Sequence, residues 1–327
     1  MRFVPIVRLE ARSAVVSRIP ASRAFPLRTL SLLCLLSVGC FAAGGPAGFN
    51  DTKTPTGVTP LQFEMVKDAA RHGNPAALNE MGNAYASGTF VERDDLKAIE
   101  SYNLAAKQNY APAENNLGVM NHDGRGVPRN DQEAARWFAR AAEHGHLGAQ
   151  STLASMYMNG MGMSRDFVEA AKWFEVAARK GDAQAQNNIG SMYDRGIGVR
   201  KDETTAAYWY RRSAEQGYAE GENNYGLMLQ DGEGVAENHA EALKWFHKAA
   251  EQGLVPAQIN LSRMYVHGHC MPVDYFQGYV WMSVAAKGDS GIKDSEMLRT
   301  FAGKLSPEQL EKAGQQVNQW TAPRAGL

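Results

Sequence analysis

The chain has little of what several functional classes require. Its 327 residues include only three cysteines, and its 34 Lys and Arg nearly balance 35 Asp and Glu. This balance excludes a general polycation that would neutralise nucleic acid phosphates. Cys34 and Cys40 lie in an N-terminal segment with the character of a leader, which leaves only Cys270 in the mature chain. One cysteine forms no internal disulfide, so the fold must rest on packing.

Long apolar runs are also missing. The longest one, residues 30–43, spans about fourteen residues, which is too short to cross a bilayer comfortably. It follows an arginine-rich stretch and ends in small residues, so residues 1–43 are predicted to be a secretory signal peptide. A mitochondrial-type presequence is the alternative, because acids are scarce there. Removing this segment leaves 28 bases and 34 acids, a charge near −6. Residues 44–58, rich in Gly, Pro and Thr, are predicted to be a flexible linker.

Export has two predicted outcomes. Cleavage near Ala42 or Ala43 gives a soluble periplasmic or secreted protein, which is the favoured interpretation. The run from Ser37 to Cys40 resembles a bacterial lipoprotein box, although that box usually has Leu where Ser37 stands. Acylation of Cys40 would then give a lipid-anchored protein, the only membrane contact that the sequence predicts. The true translation start can also lie downstream of Met1.

What the chain does contain is a 36-residue repeat. The step relates Gly73, Asn109, Gly145, Gly181, Gly217 and Gly253, and also Trp137, Trp173, Trp209, Trp245 and Trp281. A third series is Gly88, Gly124, Gly160, Gly196, Gly232 and Gly268. Self-similarity at this period is typical of a solenoid, in which each unit buries its apolar face only against its neighbours. The prediction is an elongated binding surface.

Each repeat predicts two short helices. In the second repeat, the first helix is predicted to bury Ala113, Leu117 and Met120 and to end at Gly124. Asn130 or Asp131 is predicted to cap the second helix. That helix is predicted to bury one stripe, composed of Ala134, Phe138 and Ala141. Gly145 is predicted to end this helix in the left-handed conformation, as Asn109 is predicted to do for the second helix of the first repeat.

Three motifs carry a resemblance to a known family. They are Ala-x-x-x-Leu-Gly-x-x-Tyr at 77–85, with Met81 in the place of Leu, Gly-x-Gly-Val with a following acid at 196–202, and Ala-x-x-Trp-Tyr-x-x-Ala-Ala-x-x-Gly at 206–217, with Ser213 in the place of the first of the two adjacent alanines. From about residue 74 to 288 the chain resembles the Sel-1-like repeats, a branch of the tetratricopeptide-like solenoids. The resemblance implies an all-α superhelix that binds or scaffolds proteins. Some secreted relatives with a cysteine pair in every repeat are linked to β-lactam binding or hydrolysis, but this chain lacks those cysteines.

The predicted domain is a solenoid over residues 59–327. Its six repeats are placed at about 74–109, 110–145, 146–181, 182–217, 218–253 and 254–288, with C-terminal capping helices over 289–322. Before the array, one helix from Pro60 to His72 is predicted to cover the first repeat with Leu61, Met65 and Ala69. After it, a helix over about 293–304 is followed by one that starts at Ser306, with Pro next and Gln three residues on.

The predicted binding site is a groove on the first helices. At about 100° per residue, the positions equivalent to 115, 119 and 122 point away from the buried stripe. The resemblance implies that first helices line the concave side, so these positions form the groove floor, where amides suit an extended peptide or glycan. The candidate partner-binding residues are Asn79, Asn83, Asn115, His122, Ser151, Ser155, Asn187, Ser191, Asp194, Asn223, Gln230 and Arg263.

We call positions equivalent to 115 the 115 row, and those one residue later the 116 row. The 116 row contains Asn116, Asn188, Asn224 and Asn260. It lies nearer the buried stripe and is expected to form hydrogen bonds between repeats. The 115 row is expected to face solvent.

Other candidate chemistry is weaker. The tryptophan series is predicted to pack between repeats rather than to stack on sugars. His267, His269 and Cys270 offer three ligands in one loop, but no fourth is near. No nucleophile elbow is present. The sequence therefore predicts a non-catalytic protein without cofactor or metal, which holds a protein or peptide partner. The alternatives are a β-lactam-binding protein or hydrolase, and a lipid-anchored envelope scaffold that contacts peptidoglycan.

Overall fold

A computed structural model describes residues 59–268, 270–292 and 295–320, and these form fifteen α-helices and no strand. The expected all-α solenoid is confirmed, because consecutive helices pack against one another along the chain. The first helices of the six repeats are α2 (Pro75–Ser87), α4 (Ala111–Asp123), α6 (Leu147–Asn159), α8 (Ala183–Arg195), α10 (Ala219–Asp231) and α12 (Val255–His267). The second helices are α3 (Asp95–Ala106), α5 (Asp131–Glu143), α7 (Phe167–Arg179), α9 (Glu203–Glu215), α11 (His239–Glu251) and α13 (Tyr275–Gly288). The flanking helices are α1 (Pro60–Arg71), α14 (Glu296–Ala302) and α15 (Pro307–Gln319).

Local sequence sets the bounds of these helices. Each first helix ends at a left-handed glycine, as at Gly124 with φ of 69°. Each second helix begins after an Asp or Asn whose side chain accepts a backbone N–H, as Asn130 does from Glu133 at 3.0 Å. Gly181 has φ of 99° and Asn109 has φ of 58°, as the repeat spacing predicts. The left-handed conformation ends the helix and turns the chain into the next repeat.

The core lies between the two helices of each repeat and against the next repeat. Phe138 is 1% exposed, and its ring lies over Gly118 of the preceding helix. A Cβ atom at Gly118 would come within 2.7 Å of that ring. The same arrangement places the ring of Phe246 over Gly226. The Leu-Gly pair of the repeat motif therefore makes room for the aromatic residue of the second helix.

The N-terminal capping helix presents a different face from the expected one. Leu61 and Met65 are 74% and 68% exposed, so the expectation that they cover the first repeat is wrong. The helix instead buries Phe63, whose ring stacks on Phe90 at a centroid distance of 4.8 Å. Phe90 follows α2 and holds a positive φ of 65°, which projects its ring toward α1. This aromatic pair sets the rotation of α1.

The C-terminal cap agrees in part with its prediction. The helix expected over about 293–304 is α14, and a 3₁₀ turn, Ser290–Ile292, precedes it. The start of α15 is confirmed, because Ser306 and Gln309 form the reciprocal capping box. Ala313 on this helix is fully buried. Since α15 packs against α13, it covers the apolar face that the last repeat would otherwise expose.

Candidate partner-binding strip on the first helices

The two asparagine rows pair with each other across repeats. The Nδ2 atom of Asn224 donates to Oδ1 of Asn187 at 2.9 Å. Asn260 donates in the same way to Asn223 at 2.9 Å. In the first two repeats, Asn116 donates to Asn79 at 3.0 Å. The expected hydrogen bonds of the 116 row are therefore confirmed for Asn116, Asn224 and Asn260.

The 115 row does not face solvent, so that expectation is wrong. Asn115 is 2% exposed, Asn187 is 9% exposed and Asn223 is 6% exposed. Buried candidates are Asn79, Asn83, Asn115, Asn187 and Asn223. The other candidates are half-buried, and they are His122, Ser151, Ser155, Ser191, Asp194, Gln230 and Arg263. A partner that contacts the free protein reaches the second set and not the first.

The pairing of the rows stops at the third repeat. Ser151 and Thr152 stand there in place of two asparagines, and Ser151 donates to Asp182 at 2.9 Å instead. The Nδ2 atom of Asn115 has no hydrogen-bond partner among the described residues. Asn188 also has none for its side chain in the part that the structure describes. The amide pairs thus form two separate groups, one in the first two repeats and one in the last three.

What remains accessible on the first helices is a strip of half-buried side chains. We define the first-helix strip as Ser155, Met158, Ser191, Asp194, Leu227, Gln230, Arg263 and Val266. Within each repeat its two members are three residues apart, which places them on one helix face. Sequence reasoning placed the apolar members on the same face but selected polar residues as the partner-binding candidates. The strip is mostly uncharged, and Asp194 and Arg263 are its two ionisable members.

Asp194 is a half-buried carboxylate with no ion pair and no hydrogen bond among the described residues. Burial raises the pKa of Asp194 above its ordinary value, and the nearby charges of Arg195 and Lys201 oppose that increase. Since desolvation penalises the charged form, the raised pKa reports a carboxylate for which the cost of burial outweighs the attraction of these two cations.

Arg263 is the positively charged member of the strip, and like Asp194 it has no partner among the described residues. It is half-buried and has no ion pair or hydrogen bond in the described part of the chain. Burial is what lowers the pKa of Arg263. Arg125, in contrast, has partners for its guanidinium, because it donates to Asp95 at 2.7 Å and to the carbonyl of Ala86 at 2.6 Å.

A further polar row is buried and structural, and sequence reasoning missed it. Gln150 and Gln186 donate to the carbonyls of Ala142 and Ala178 at 2.9 Å and 3.0 Å, which satisfies the C-terminal end of the preceding second helix. The signal was a Glu or Gln recurring at 36-residue spacing. Its members are Glu114, Gln150, Gln186, Glu222 and Gln258. The two carboxylates use other partners: His144 lies 2.6 Å from Glu114, and Gln252 lies 2.8 Å from Glu222.

The tryptophans pack as predicted. Trp209 is 6% exposed and Trp281 is 8% exposed, and both belong to apolar clusters. Trp245 lies edge-on to Tyr225 with a centroid distance of 5.8 Å. These contacts leave the tryptophans occupied by their own chain, which favours packing over sugar stacking.

The metal loop and the N-terminal segments fall partly or wholly outside the described residues. His269 is outside them, and so are the predicted signal peptide, residues 1–43, and the linker, residues 44–58. Within the described ranges, no three His, Cys, Asp or Glu side chains are placed to hold a metal ion. No described helix is both long and apolar enough to cross a membrane.

Helices α2–α13 define an α-solenoid of helix-turn-helix repeats, the class of protein that serves as an interaction scaffold. The chain belongs to the Sel1 repeat family. Six copies of the repeat match, at residues 75–110, 111–146, 148–182, 183–218, 219–254 and 255–290.

One solved structure agrees with this assignment. The chain is similar to a Sel1 repeat protein from Oxalobacter formigenes at 31% identity, with a TM-score of 0.57, over 70% of this chain and 88% of that one. It is also similar to a protective antigen present in uropathogenic Escherichia coli strains, at 27% identity and a TM-score of 0.48, over 79% and 71% of the two chains. No curated protein matches the chain.

Proposed function

We propose that this solenoid is a non-catalytic binding protein that holds a polypeptide segment along the first-helix strip. The observation that carries the proposal is that Asp194 and Arg263, two charged members of that strip, have no ion pair among the described residues. Leaving a half-buried charge unpaired costs free energy, and proteins usually pair such groups or use them. Asp131 and Glu114, in contrast, are each held by a basic side chain.

The composition of the strip indicates the kind of partner. Met158, Leu227 and Val266 offer apolar contact, while the serines and Gln230 offer hydrogen bonds. An extended polypeptide presents both kinds of group along its length. A row that crosses successive repeats therefore suits an extended segment better than a compact small molecule. By resemblance to tetratricopeptide-like superhelices, the strip lies on the concave side.

The proposed setting is the exported compartment. It rests on the sequence of residues 1–43, an arginine-rich stretch followed by a short apolar run with small residues at its end. The linker over 44–58 would then separate the solenoid, residues 59–327, from the processed N-terminus. Acylation of Cys40 is the lipid-anchored version of the same proposal.

Site-specific photo-crosslinking in cells that express the chain tests the binding face. A photoreactive phenylalanine analogue replaces Met158 or Leu227 on the strip. The matched controls carry it at Val168 or Tyr208 on second helices, which are 52% and 50% exposed. We expect the two strip positions to give one shared crosslinked polypeptide and the controls to give none. Crosslinks from the second-helix positions alone, or from no position, would overturn the proposal.

A further inference from the structure

Arg263 occupies a position that the repeat does not require to be charged. The equivalent residues in the five preceding repeats are Asn83, Val119, Ser155, Ser191 and Leu227. Serine and leucine there are compatible with the same helix packing. The contact between repeats therefore does not require an arginine at this position.

The surroundings of Arg263 on α12 are largely apolar. Ile259 lies four residues earlier and Val266 three residues later, so both share its helix face. Leu227 holds the equivalent place in the preceding repeat and packs partly against the core. Asn260 lies one turn earlier, with its Nδ2 atom already donating to Asn223. None of these groups carries a negative charge that would neutralise the guanidinium, which is itself half-buried.

A guanidinium in such a setting is prepared for an anion. Its N–H groups form a planar fork that matches the two oxygens of a carboxylate. Low polarity around the pair strengthens the charge-assisted hydrogen bonds. Folding has already removed part of the water around the arginine. The free-energy cost of desolvating it when a partner binds is therefore smaller.

We propose that Arg263 is the carboxylate-binding position of the first-helix strip and receives a carboxylate of the bound polypeptide. The inference rests on the proposed function, because it assigns one contact of that same strip. The carboxylate can belong to an acidic side chain or to the C-terminus of the partner, and both offer the same two oxygens.

Nuclear magnetic resonance of the arginine Nε–Hε groups tests this directly with small probes. The Arg263 signal is assigned as the one missing in Arg263→Gln. We expect it to move on titration with N-acetyl-glutamate amide, which carries a side-chain carboxylate, or with N-acetyl-alanine, which carries a terminal one. The larger movement identifies the source of the carboxylate. N-acetyl-glutamine amide is the uncharged control, and the Arg125 signal should stay in place with all three.

Two outcomes would overturn the assignment. One is an Arg263 signal that is insensitive to both carboxylate probes. The other is a response to inorganic phosphate equal to that of the carboxylates, which would make the position a general anion site. Either result leaves the crosslinking test of the strip untouched, so a failure of this inference is distinct from a failure of the proposed function.

Stability separates a binding role from a structural one. Arg263→Leu and Arg263→Ser reproduce Leu227 and Ser191 of the preceding repeats. We expect both variants to melt at or above the temperature of the parent, because the preceding repeats fold with these residues at the same place. Arg125→Leu, which removes a paired arginine, should lower the melting temperature. A clear loss of stability in both Arg263 variants would show that the arginine supports the fold instead.

Discussion

Asn224 donates a hydrogen bond from its Nδ2 atom to Oδ1 of Asn187, 37 residues earlier, at 2.9 Å. Adjacent helices of a solenoid must satisfy the polar groups that they bury, and this pair does so between α8 and α10. The contact fixes the register of one first helix on the next. Because both side chains are engaged, the amides that suggest a binding surface in the sequence act as a link between repeats.

Removing the acceptor should destabilise the array. Asn187→Ala leaves the Asn224 amide without its acceptor between two helices, and a loss of this kind costs about 1–3 kcal/mol. Adding Asn223→Ala removes the acceptor of Asn260 as well and should enlarge the effect. Urea unfolding followed by circular dichroism measures both. Binding to the strip should persist under conditions where the variants remain folded.

Asn188→Ala is the matched control for that experiment. Asn188 occupies the 116 row but faces Ser151 in the preceding repeat, and its side chain has no hydrogen bond among the described residues. Alanine is also the better helix former. We therefore expect this variant to unfold at or above the urea midpoint of the parent. If Asn188→Ala is as damaging as Asn187→Ala, the pairing of the two rows is not what stabilises the array.

The glycine that ends a second helix should matter through its backbone conformation. Gly181 has φ of 99°, and a Cβ atom there would meet nothing within 4 Å. Gly181→Val therefore causes backbone strain without a steric clash, at a cost of about 1–3 kcal/mol. Gly181→Asn should cost clearly less, because Asn tolerates positive φ and Asn109 already adopts it at the equivalent position two repeats earlier.

Melting temperature decides between the two variants. Equal losses for Val and Asn would indicate that Gly181 is needed for a reason other than its left-handed conformation. An unchanged melting temperature for Gly181→Val would mean that the chain accommodates a β-branched residue at this helix end.

The repeat period predicts most of the fold because the residues that set it recur. Gly124 ends a first helix, Asn130 starts a second one, and Phe138 fills the space over Gly118, all within one 36-residue unit. Each of these roles depends on neighbours in sequence or on the adjacent helix. Such contacts repeat in every unit, so a single sequence displays them several times.

The candidate site was less predictable from the sequence. A helical wheel with one buried stripe assumes that each helix packs against its neighbours on one side only. Helix α10 packs against α9 and α11, and also against α8 of the preceding repeat. Asn223 is 6% exposed on the side that the wheel assigned to solvent, and it accepts a hydrogen bond from Asn260 of the following first helix. A helical wheel also does not show that Arg263 lacks a partner among the described residues, because that depends on how the helices pack.

Processing of the N-terminus is a separate prediction. The small residues after the apolar run place the mature N-terminus between Cys40 and about Gly45. Intact mass spectrometry of the exported protein measures it. A diacylglyceryl mass on Cys40 would select the lipid-anchored form, and an exported chain that still begins at Met1 would contradict the signal peptide.

The stability of the array should depend on pH through Glu222. This residue is 3% exposed and accepts a hydrogen bond from Gln252 at 2.8 Å. Burial raises the pKa of Glu222, although the Gln252 hydrogen bond opposes the increase. The folded state thus holds the proton more tightly than the unfolded state does. The protonated Glu222 side chain therefore contributes fully to stability when the pH is below the pKa of this group in the unfolded state. That contribution is lost as the pH rises through its pKa in the folded state.

Glu222→Gln removes this titration with a residue that the chain already uses at the same place in Gln186, whose Oε1 accepts from Gln216 at 2.7 Å. We expect the variant to be more stable than the parent at neutral pH, because a buried charge is gone. The gain should shrink as pH falls toward 4.5, the ordinary glutamate value. Urea unfolding at a series of pH values measures it, with the exposed Glu100→Gln as control. A gain of equal size across the series, or one that Glu100→Gln also shows, would mean that the buried carboxylate is not its source.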